Sequence, residues 1–154
     1  MYKNEVCHNF SDCKNNDDLV LWLHRRLVMD NVRKLLVIST PDHPSIKWWA
    51  DGIKNVYVHI NIGKWKEMKV GDKVILEDIN SEEYVKGEIV FKHEYGSYEN
   101  LIESEGVKNI FPYLEDNDIG KAVKYFKNFP GSDLVKPYGC IAFGIEVSDK
   151  ILLQ

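Results

Sequence analysis

The stretch ADGIKNVYVHINIGKW, residues 50–65, contains the end of a helix, a bend and a strand. The helix is PSIKWWADG, with Pro44 at its start and Gly52 at its end, because proline suits a first helical turn and glycine suits the residue after the last turn. From Lys54 to Ile60, β-branched residues recur at every second position, and this period of two predicts a strand. We therefore expect a short helix that delivers the chain through Gly52 into a strand.

The polar residues of this strand are compatible with either an edge strand that carries a histidine or one wall of a binding site. Successive strand residues point to opposite faces, so Asn55, Tyr57 and His59 share one face, while Lys54 in a regular strand would lie on the other. Either Lys54 lies at a bend before the strand, or it does not share a wall with Tyr57. The glycine at position 52 and the helix end favour the bend.

Before this stretch, the sequence predicts a polar tail, a helix and a strand. Residues 1–16 are polar, and two aspartates after them begin an amphipathic helix, which ends near Asp30–Asn31 or continues to Lys34. LLVIST, residues 35–40, is a short, apolar, β-branched run before a proline, and this pattern predicts a buried strand. The apolar side of the helix is formed by leucines at i, i+4 and i+8: Leu19, Leu23 and Leu27.

After residue 65, the pattern predicts three more strands and two helices. The strands are Lys73–Glu77, Tyr84–Tyr95 and Gly139–Val147, and the helices are 97–105, capped by Ser97, and 118–126. Mostly antiparallel strands with helices inserted at the ends indicate an α+β or small-barrel architecture rather than a doubly wound sheet. We expect residues 1–34 to form an N-terminal tail and helical cap, packed as one compact unit with a domain at residues 35–154.

The composition argues against several classes of function. The chain has 154 residues and a formal net charge of −4, whereas tight sequence-independent duplex binding needs many cations. No apolar run could span a bilayer and residues 1–12 lack the core of a signal peptide, so we expect no membrane association and a cytoplasmic or nuclear location. The three cysteines are scattered, and Cys7, His8 and Cys13 lack a fourth ligand, so we expect no metal.

Common catalytic motifs are also missing from the sequence. It contains no GxGxxG, no P-loop, no nucleophile elbow and no HExxH, and its five histidines never form close pairs. We therefore expect no cofactor.

In their order along the chain, several segments resemble the ASCH domain, a family of the PUA-like superfamily. The resemblance covers about residues 35–148 and implies a small PUA-like mixed β-barrel with peripheral helices around a cleft. It also implies RNA or nucleotide binding, and some family members are amidohydrolases of acetylcytidine or have been assigned ribonuclease activity. The segments are LLVIST, the helix ending at Gly52 with Lys54 after it, VGDKVILED, SYENLIESEGV, Phe111-Pro112, KAVKYFKNFPG and GCIAFGIEV.

The chain departs from the family signature, which is G-x-K-x-x-E-x-R. Gly52 and Lys54 match it, but Tyr57 stands at the position of the acid and His59 at that of the arginine. Tyrosine and histidine offer single polar tips on flat rings, whereas arginine offers a two-pronged donor. The resemblance therefore implies a less charged cleft than is usual in the family.

Our preferred hypothesis is binding of RNA or a single modified nucleotide in this cleft. Adjacent helical residues point about 100° apart. We therefore expect one of the two neighbouring tryptophans in the core and the other at the rim. Aromatic rings there could stack on a base, and the lysine could contact a phosphate or a base oxygen. The predicted ligand-binding residues are Trp48, Trp49, Gly52, Lys54, Asn55, Tyr57 and His59.

Two alternatives remain open. One is a hydrolase of the acetylcytidine or ribonuclease kind, in which Lys54, Tyr57 and Glu105 are the catalytic residues implied by the resemblance. Tyrosine, with an ordinary pKa near 10, is a poor nucleophile at neutral pH, so binding tolerates this substitution better than catalysis does. Glu105 otherwise belongs to a solvated helix end, unless the fold turns it inwards. The other alternative is a protein-interaction module in transcription or RNA metabolism that uses the N-terminal helix.

Overall fold

The computed structural model describes residues 32–148, Asn16, and the backbone of residues 152–153. The chain divides into two compact units, residues 1–33 and residues 34–154. The predicted tail and most of the predicted helical cap lie outside the described residues, so their role stays a prediction. The longer form of that helix, which continues to Lys34, is wrong, because the chain is already a strand from Val32 onwards.

The described residues form six strands and six α-helices in an α+β arrangement, which confirms the predicted fold class. The strands are β1 Val32–Val37, β2 Val56–Ile60, β3 Lys73–Asp78, β4 Glu83–Tyr95, β5 Cys140–Val147 and β6 Leu152–Leu153. The helices are α1 Ser45–Ala50, α2 Gly63–Glu67, α3 Tyr98–Glu105, α4 Val107–Ile110, α5 Ile119–Lys127 and α6 Val135–Tyr138, with a 3-10 turn at Ser132–Leu134.

Five strands follow one another across the sheet in the order β1-β3-β4-β5-β2, and β6 pairs with β4. The β3–β4, β4–β5 and β5–β2 pairs are antiparallel. The sheet curves as a half-barrel, and among the described residues β1 and β2 form its two ends without pairing to each other. The gap between these two end strands provides room for a cleft.

Strand β1 corrects one prediction. It ends at Val37 rather than Thr40, and only Leu35 and Val37 are buried, whereas Leu36 and Ile38 are 57% and 58% exposed. A strand at the end of a sheet has one face on the core and the other free, so an apolar run there does not imply burial on both sides. The sequence pattern also missed the short helices α2, α4 and α6.

Interior strand β5 separates two hydrophobic clusters. Ile141, Phe143 and Ile145 belong to a core that includes Trp49 of α1 and Leu76 of β3. Cys140 and Ala142, on the opposite face, pack beneath α3, α4 and α5. The alternation along β5 thus places α1 and α2 on one side of the sheet and α3, α4 and α5 on the second side.

Helix α1, which carries both tryptophans, is fixed by a polar cluster at its start. Asp78, buried at the end of β3, accepts a hydrogen bond from the Ser39 backbone N–H at 3.1 Å, and the Ser39 hydroxyl accepts one from the Ile46 backbone N–H at 2.9 Å. Burial alone would raise the pKa of Asp78, but hydrogen bonds from Ser81, Asn80 and Ser39 outweigh it and lower the pKa.

None of the helices in the described part of the chain is long and apolar enough to cross a lipid bilayer.

Candidate functional site

The bend at Gly52 places Lys54 ahead of the strand. Gly52 has a φ of 74°, a left-handed conformation that favours glycine, and the backbone N–H groups of Ile53 and Lys54 both donate to the Trp48 carbonyl. Strand β2 begins only at Val56, so Lys54 does not follow the strand alternation. The structure therefore has the first of the two predicted arrangements, a lysine at a bend.

The Lys54 ammonium has no charged partner in the described structure. It is partly buried, makes neither a hydrogen bond nor an ion pair with another described residue, and lies 5.8 Å from the centre of the Trp49 ring. Burial favours the neutral amine and lowers the pKa of Lys54 from 10.5 to about 8. At neutral pH the group is thus still mostly a cation, and it is available to an anion or to a carbonyl oxygen.

The rings of Tyr57 and His59 pack against Trp65 of helix α2. His59 and Trp65 are stacked with ring centres 3.8 Å apart, and Tyr57 and Trp65 are nearly parallel with centres 5.9 Å apart. Trp65 was not among the predicted site residues, because the short helix that carries it was not predicted. The faces of Tyr57 and His59 that meet Trp65 are therefore engaged within the protein.

The polar atoms of Tyr57 and His59 are also partly engaged. The Tyr57 hydroxyl donates to the Leu36 carbonyl at 3.1 Å, and burial raises the pKa of Tyr57 to about 12. His59 Nδ1 lies 3.0 Å from the Ile60 carbonyl and donates to it, which leaves Nε2 as an acceptor in the neutral ring. Burial lowers the pKa of His59, so the ring is neutral at pH 7.

A cavity of about 480 Å³ lies along β1 and β2, and we call it the aromatic cavity. Its volume is in the range of small-molecule sites. Among its described lining residues, Lys54 is the only lysine or arginine, and there is no carboxylate. The lining also includes Ser45, which is 6% exposed and whose hydroxyl has no hydrogen-bond partner among the described residues. The walls are otherwise mainly aliphatic and aromatic.

The two tryptophans take the core and rim positions expected of neighbouring helical residues. Trp49 is 1% exposed in the core, while Trp48 is partly exposed at the rim. Trp48 and Tyr113 are stacked with centres 6.0 Å apart, and His43 packs on Tyr113 at 4.2 Å. Sequence reasoning missed Tyr113, because no pattern indicated that the loop after α4 returns to α1.

Glu105 is turned inwards at the end of α3. Its side chain is 8% exposed, and its Oε1 accepts hydrogen bonds from the Tyr95 hydroxyl at 2.5 Å and from His93 Nδ1 at 2.6 Å. Burial raises the pKa of Tyr95, and the neighbouring Glu105 raises it further. Tyr95 and His93 were not predicted, although their period of two in strand β4 places them on one face.

A second cavity, of about 580 Å³, contains Glu105 together with Lys54, and we call it the polar cavity. Gly52, Asn55 and Trp49 also line it. Lys54 and Trp49 line both cavities, so they lie at the boundary between the two. The predicted residues thus separate into two groups: Trp48, Tyr57 and His59 line the aromatic cavity, and Gly52, Asn55 and Glu105 line the polar cavity.

No group of three or more His, Cys, Asp or Glu side chains in the described part of the chain could hold a metal ion. Cys7, His8 and Cys13 lie outside the described residues.

Comparison with known proteins identifies the fold. No protein-family profile and no curated protein matches the sequence. The hypothetical protein PH0355 has a similar structure with a TM-score of 0.61 and 24% identity, covering 75% of this chain and 99% of its own. PF0455 from Pyrococcus furiosus has a TM-score of 0.57 and 17% identity, covering 77% and 98%.

A point mutant of ZmASCH from Zymomonas mobilis has a TM-score of 0.50 and 11% identity, covering 79% of this chain and 72% of its own. At these identities the likeness is one of fold, and at that level the predicted resemblance to an ASCH domain is confirmed.

Proposed function

Because this chain has the fold of an ASCH domain, we propose that it binds RNA or a single nucleotide, modified or unmodified, in the aromatic cavity. The base stacks on the partly exposed Trp48, and Lys54 contacts a phosphate or a base oxygen. Stacking on an aromatic ring contributes about 1–3 kcal/mol per base, and every base has a face that can stack.

The observation that carries this proposal is the Lys54 ammonium, which pairs with no described residue and lies in an aromatic-walled cavity whose described lining contains no carboxylate. A cation held away from water destabilises the folded state unless an anion or a strong hydrogen-bond acceptor contacts it. Among the described residues that line the aromatic cavity, none supplies an anion. A nucleotide provides both the flat ring that suits the walls and the oxygen that suits the lysine.

Titration of the purified protein with nucleosides, nucleotides and short RNAs at low salt tests the proposal. We expect binding at or below the millimolar range, weakened at least tenfold in Lys54→Ala. Lys69→Ala is the matched control, because Lys69 is exposed and lines neither cavity. Absence of binding at millimolar concentrations, or equal affinity in Lys54→Ala and the wild type, contradicts the proposal.

The pH dependence provides an independent test of the lysine's role. Because the pKa of Lys54 is about 8, its positive charge is present below pH 8 and is lost as the pH rises through 8. Affinity for a nucleotide should therefore fall between pH 7 and pH 9, and Lys54→Ala should abolish this fall. If the fall in affinity between pH 7 and pH 9 is unchanged in the variant, a group other than Lys54 causes the pH dependence.

A second candidate function is a hydrolase of the acetylcytidine or ribonuclease kind. The observation that favours it is the polar cavity, in which a lysine with a lowered pKa and a buried carboxylate line the same space. Lys54 and Glu105 are the proton-handling groups in this proposal. Tyr57 is less suited to it, because its hydroxyl donates to a backbone carbonyl and burial raises its pKa to about 12.

Incubation with acetylcytidine and with RNA tests the hydrolase proposal. Turnover should be lost in Lys54→Ala and Glu105→Ala and kept in Glu103→Ala, an exposed glutamate on the same helix. Absence of turnover in the wild type, or turnover that both cavity variants retain, refutes it. The third hypothesis, protein interaction through the N-terminal helix, concerns residues outside the described part of the chain and remains a proposal.

A further inference from the structure

Four partly exposed aromatic side chains form the outer edge of the aromatic cavity, and we call them the mouth rings: Trp48, Tyr113, Tyr125 and Phe129. Tyr113, Tyr125 and Phe129 are 43%, 46% and 44% exposed, which is unusual for large aromatic side chains in one place. The residues come from three separate segments of the chain, namely α1, the loop after α4, and α5 with the residues after it. The tertiary structure therefore gathers them at the cavity.

The mouth rings form a connected series. Trp48 and Tyr113 are stacked with centres 6.0 Å apart, and Tyr125 and Phe129 meet edge to face at 5.0 Å. Phe111, which is buried, joins the two pairs, with its ring centre 6.0 Å from Tyr113 and 4.9 Å from Tyr125. Because the buried ring supports both pairs, the exposed faces are held in place rather than left to rotate freely.

The charges near the mouth rings are mixed. Lys121 and Lys127 of α5 are paired with Asp118 and Glu99, whereas Lys124, next to Tyr125, has no partner among the described residues. Exposed carboxylates of Glu115 and Asp116 follow Tyr113 in the loop. This surface thus offers flat rings and a few cations, which suits a partner that is held by stacking more than by its phosphates.

We propose that three of the mouth rings, Tyr113, Tyr125 and Phe129, hold the nucleotides on either side of the one that stacks on Trp48 in the aromatic cavity, so that the partner is a single-stranded nucleic acid. This inference rests on the proposed function. A duplex does not fit, because its bases are stacked on one another and cannot reach the rings. Lys54, the one lysine among the described lining residues of the cavity, matches the one negative charge of a phosphodiester within a strand.

Fluorescence anisotropy with labelled hexamers of single-stranded RNA and DNA, a matched RNA duplex, and unlabelled mononucleotides as competitors tests the inference. We expect the single-stranded hexamers to bind at least about tenfold more tightly than mononucleotides, because stacking adds with each base that reaches a ring. The plot of log affinity against log salt should be shallow, with a slope of about −0.7 for each phosphate contacted.

Two substitutions at the mouth, Tyr125→Ala and Phe129→Ala, should each reduce the advantage of the hexamer over the mononucleotide. Tyr138→Ala is the matched control, because Tyr138 is 56% exposed and does not line the cavity. Circular dichroism and thermal unfolding of each variant separate loss of fold from loss of binding. If a variant does not fold, Tyr125→Leu, which keeps an apolar side chain but removes the ring, replaces it.

The outcomes distinguish the two proposals. If neither mononucleotides nor hexamers bind, the proposed function fails. If mononucleotides bind but hexamers bind no more tightly, or if the duplex binds as well as the single strands, only the further inference fails. Equal loss in Tyr138→Ala and Tyr125→Ala also overturns it. Equal affinity for RNA and DNA supports recognition through the bases, and a preference for RNA supports recognition of the same strand with an additional 2′-hydroxyl contact.

Discussion

Among the described residues, no carboxylate forms an ion pair with the Lys54 ammonium. Lys54 matches the family signature and lies at the bend, two residues after Gly52. It also lines both the aromatic and the polar cavity. An unpaired ammonium away from water lowers the stability of the folded state and lowers the pKa of the group. Such a residue is expected where a ligand, rather than the protein, provides the partner.

Replacement of Lys54 by methionine should therefore stabilise the free protein. Methionine is apolar and of similar length, so the variant removes the desolvation cost, and we expect the free energy of unfolding in urea at pH 7 to rise by about 1 kcal/mol. Lys69→Met, at an exposed position, is the control and should change it by less than about 0.5 kcal/mol.

The effect of this substitution should depend on pH with a defined sign. The pKa of Lys54 is about 8 in the folded protein and 10.5 ordinarily, so the folded state loses its proton first as the pH rises. The stability of the wild type should then increase relative to the variant from about pH 8 towards pH 10.5. The advantage of Lys54→Met is full below pH 8 and shrinks above it. A constant difference across this range contradicts the assigned burial of the ammonium.

Tyr57 and His59, which stand at two positions of the family signature, make contacts within the protein. Where the family has an acid and an arginine, these two rings instead stack on Trp65, and the tyrosine hydroxyl binds the Leu36 carbonyl. Together with Trp65 they form an aromatic wall. The two rings were expected in the cleft, but their partner ring Trp65 was not.

At the level of elements, the contact between β4 and β5 depends on a single glycine. The register of the two strands shifts between Ile89 and Phe91, and Phe91 then pairs with Gly144. A Cβ atom on Gly144 would lie 2.0 Å from Cε2 of Phe91, so the phenyl ring occupies the space that any other residue would need. The sequence contains no pattern that marks this irregularity in β4.

Gly144→Ala should accordingly be strongly destabilising. We expect a loss of about 3 kcal/mol in the free energy of unfolding, because the ring or the strand must move. In contrast, Gly120→Ala in helix α5, where a Cβ meets nothing within 4 Å, should raise stability by about 0.5–1 kcal/mol. Chemical denaturation of the purified variants measures both changes.

A double variant identifies the cause. Adding Phe91→Ala to Gly144→Ala should recover part of the loss, so that the two substitutions are not additive. Additive losses would show that Phe91 is not the obstacle.

At the scale of the whole molecule, the described strands form a half-barrel that is open between its end strands β1 and β2. The Tyr57 hydroxyl in β2 and the Leu36 carbonyl in β1 form a hydrogen bond across this gap, at 3.1 Å. The same gap is the site of the aromatic cavity, whose lining includes residues of both strands. The gap between the end strands β1 and β2 therefore also provides the proposed binding space.

Removal of this link should loosen the two end strands. We expect Tyr57→Phe to lower the free energy of unfolding by about 1 kcal/mol, as is typical for one hydrogen bond. Amide hydrogen exchange in β1 and β2 should become faster than in the wild type, and this increase should be larger than in the interior strand β5. Tyr138→Phe is the control, because Tyr138 is exposed and its hydroxyl has no hydrogen bond among the described residues. Identical exchange in both variants would show that the link does not hold the strands.

The sequence by itself determined most of the elements and their order. Alternation, turn signals and apolar runs predicted β2, β3, β4 and β5 to within two residues at each end. Ser97 was correctly predicted to cap α3, where its hydroxyl accepts from the Asn100 backbone N–H. These features depend on local geometry and on which side chains neighbouring residues present. The bend at Gly52 and the position of Lys54 could be predicted for the same reason.

Only the tertiary structure decided what these elements enclose. It turned Glu105 towards Tyr95 and His93, and it brought Trp65 onto His59 and Tyr113 onto Trp48. It also exposed half of the apolar run that was predicted to be a buried strand. Each of these contacts joins residues from separate elements, and their formation depends on how the half-barrel curves and which of its strands lie at the ends. Local patterns carry no information on that closure, because it results from packing among residues far apart in the chain.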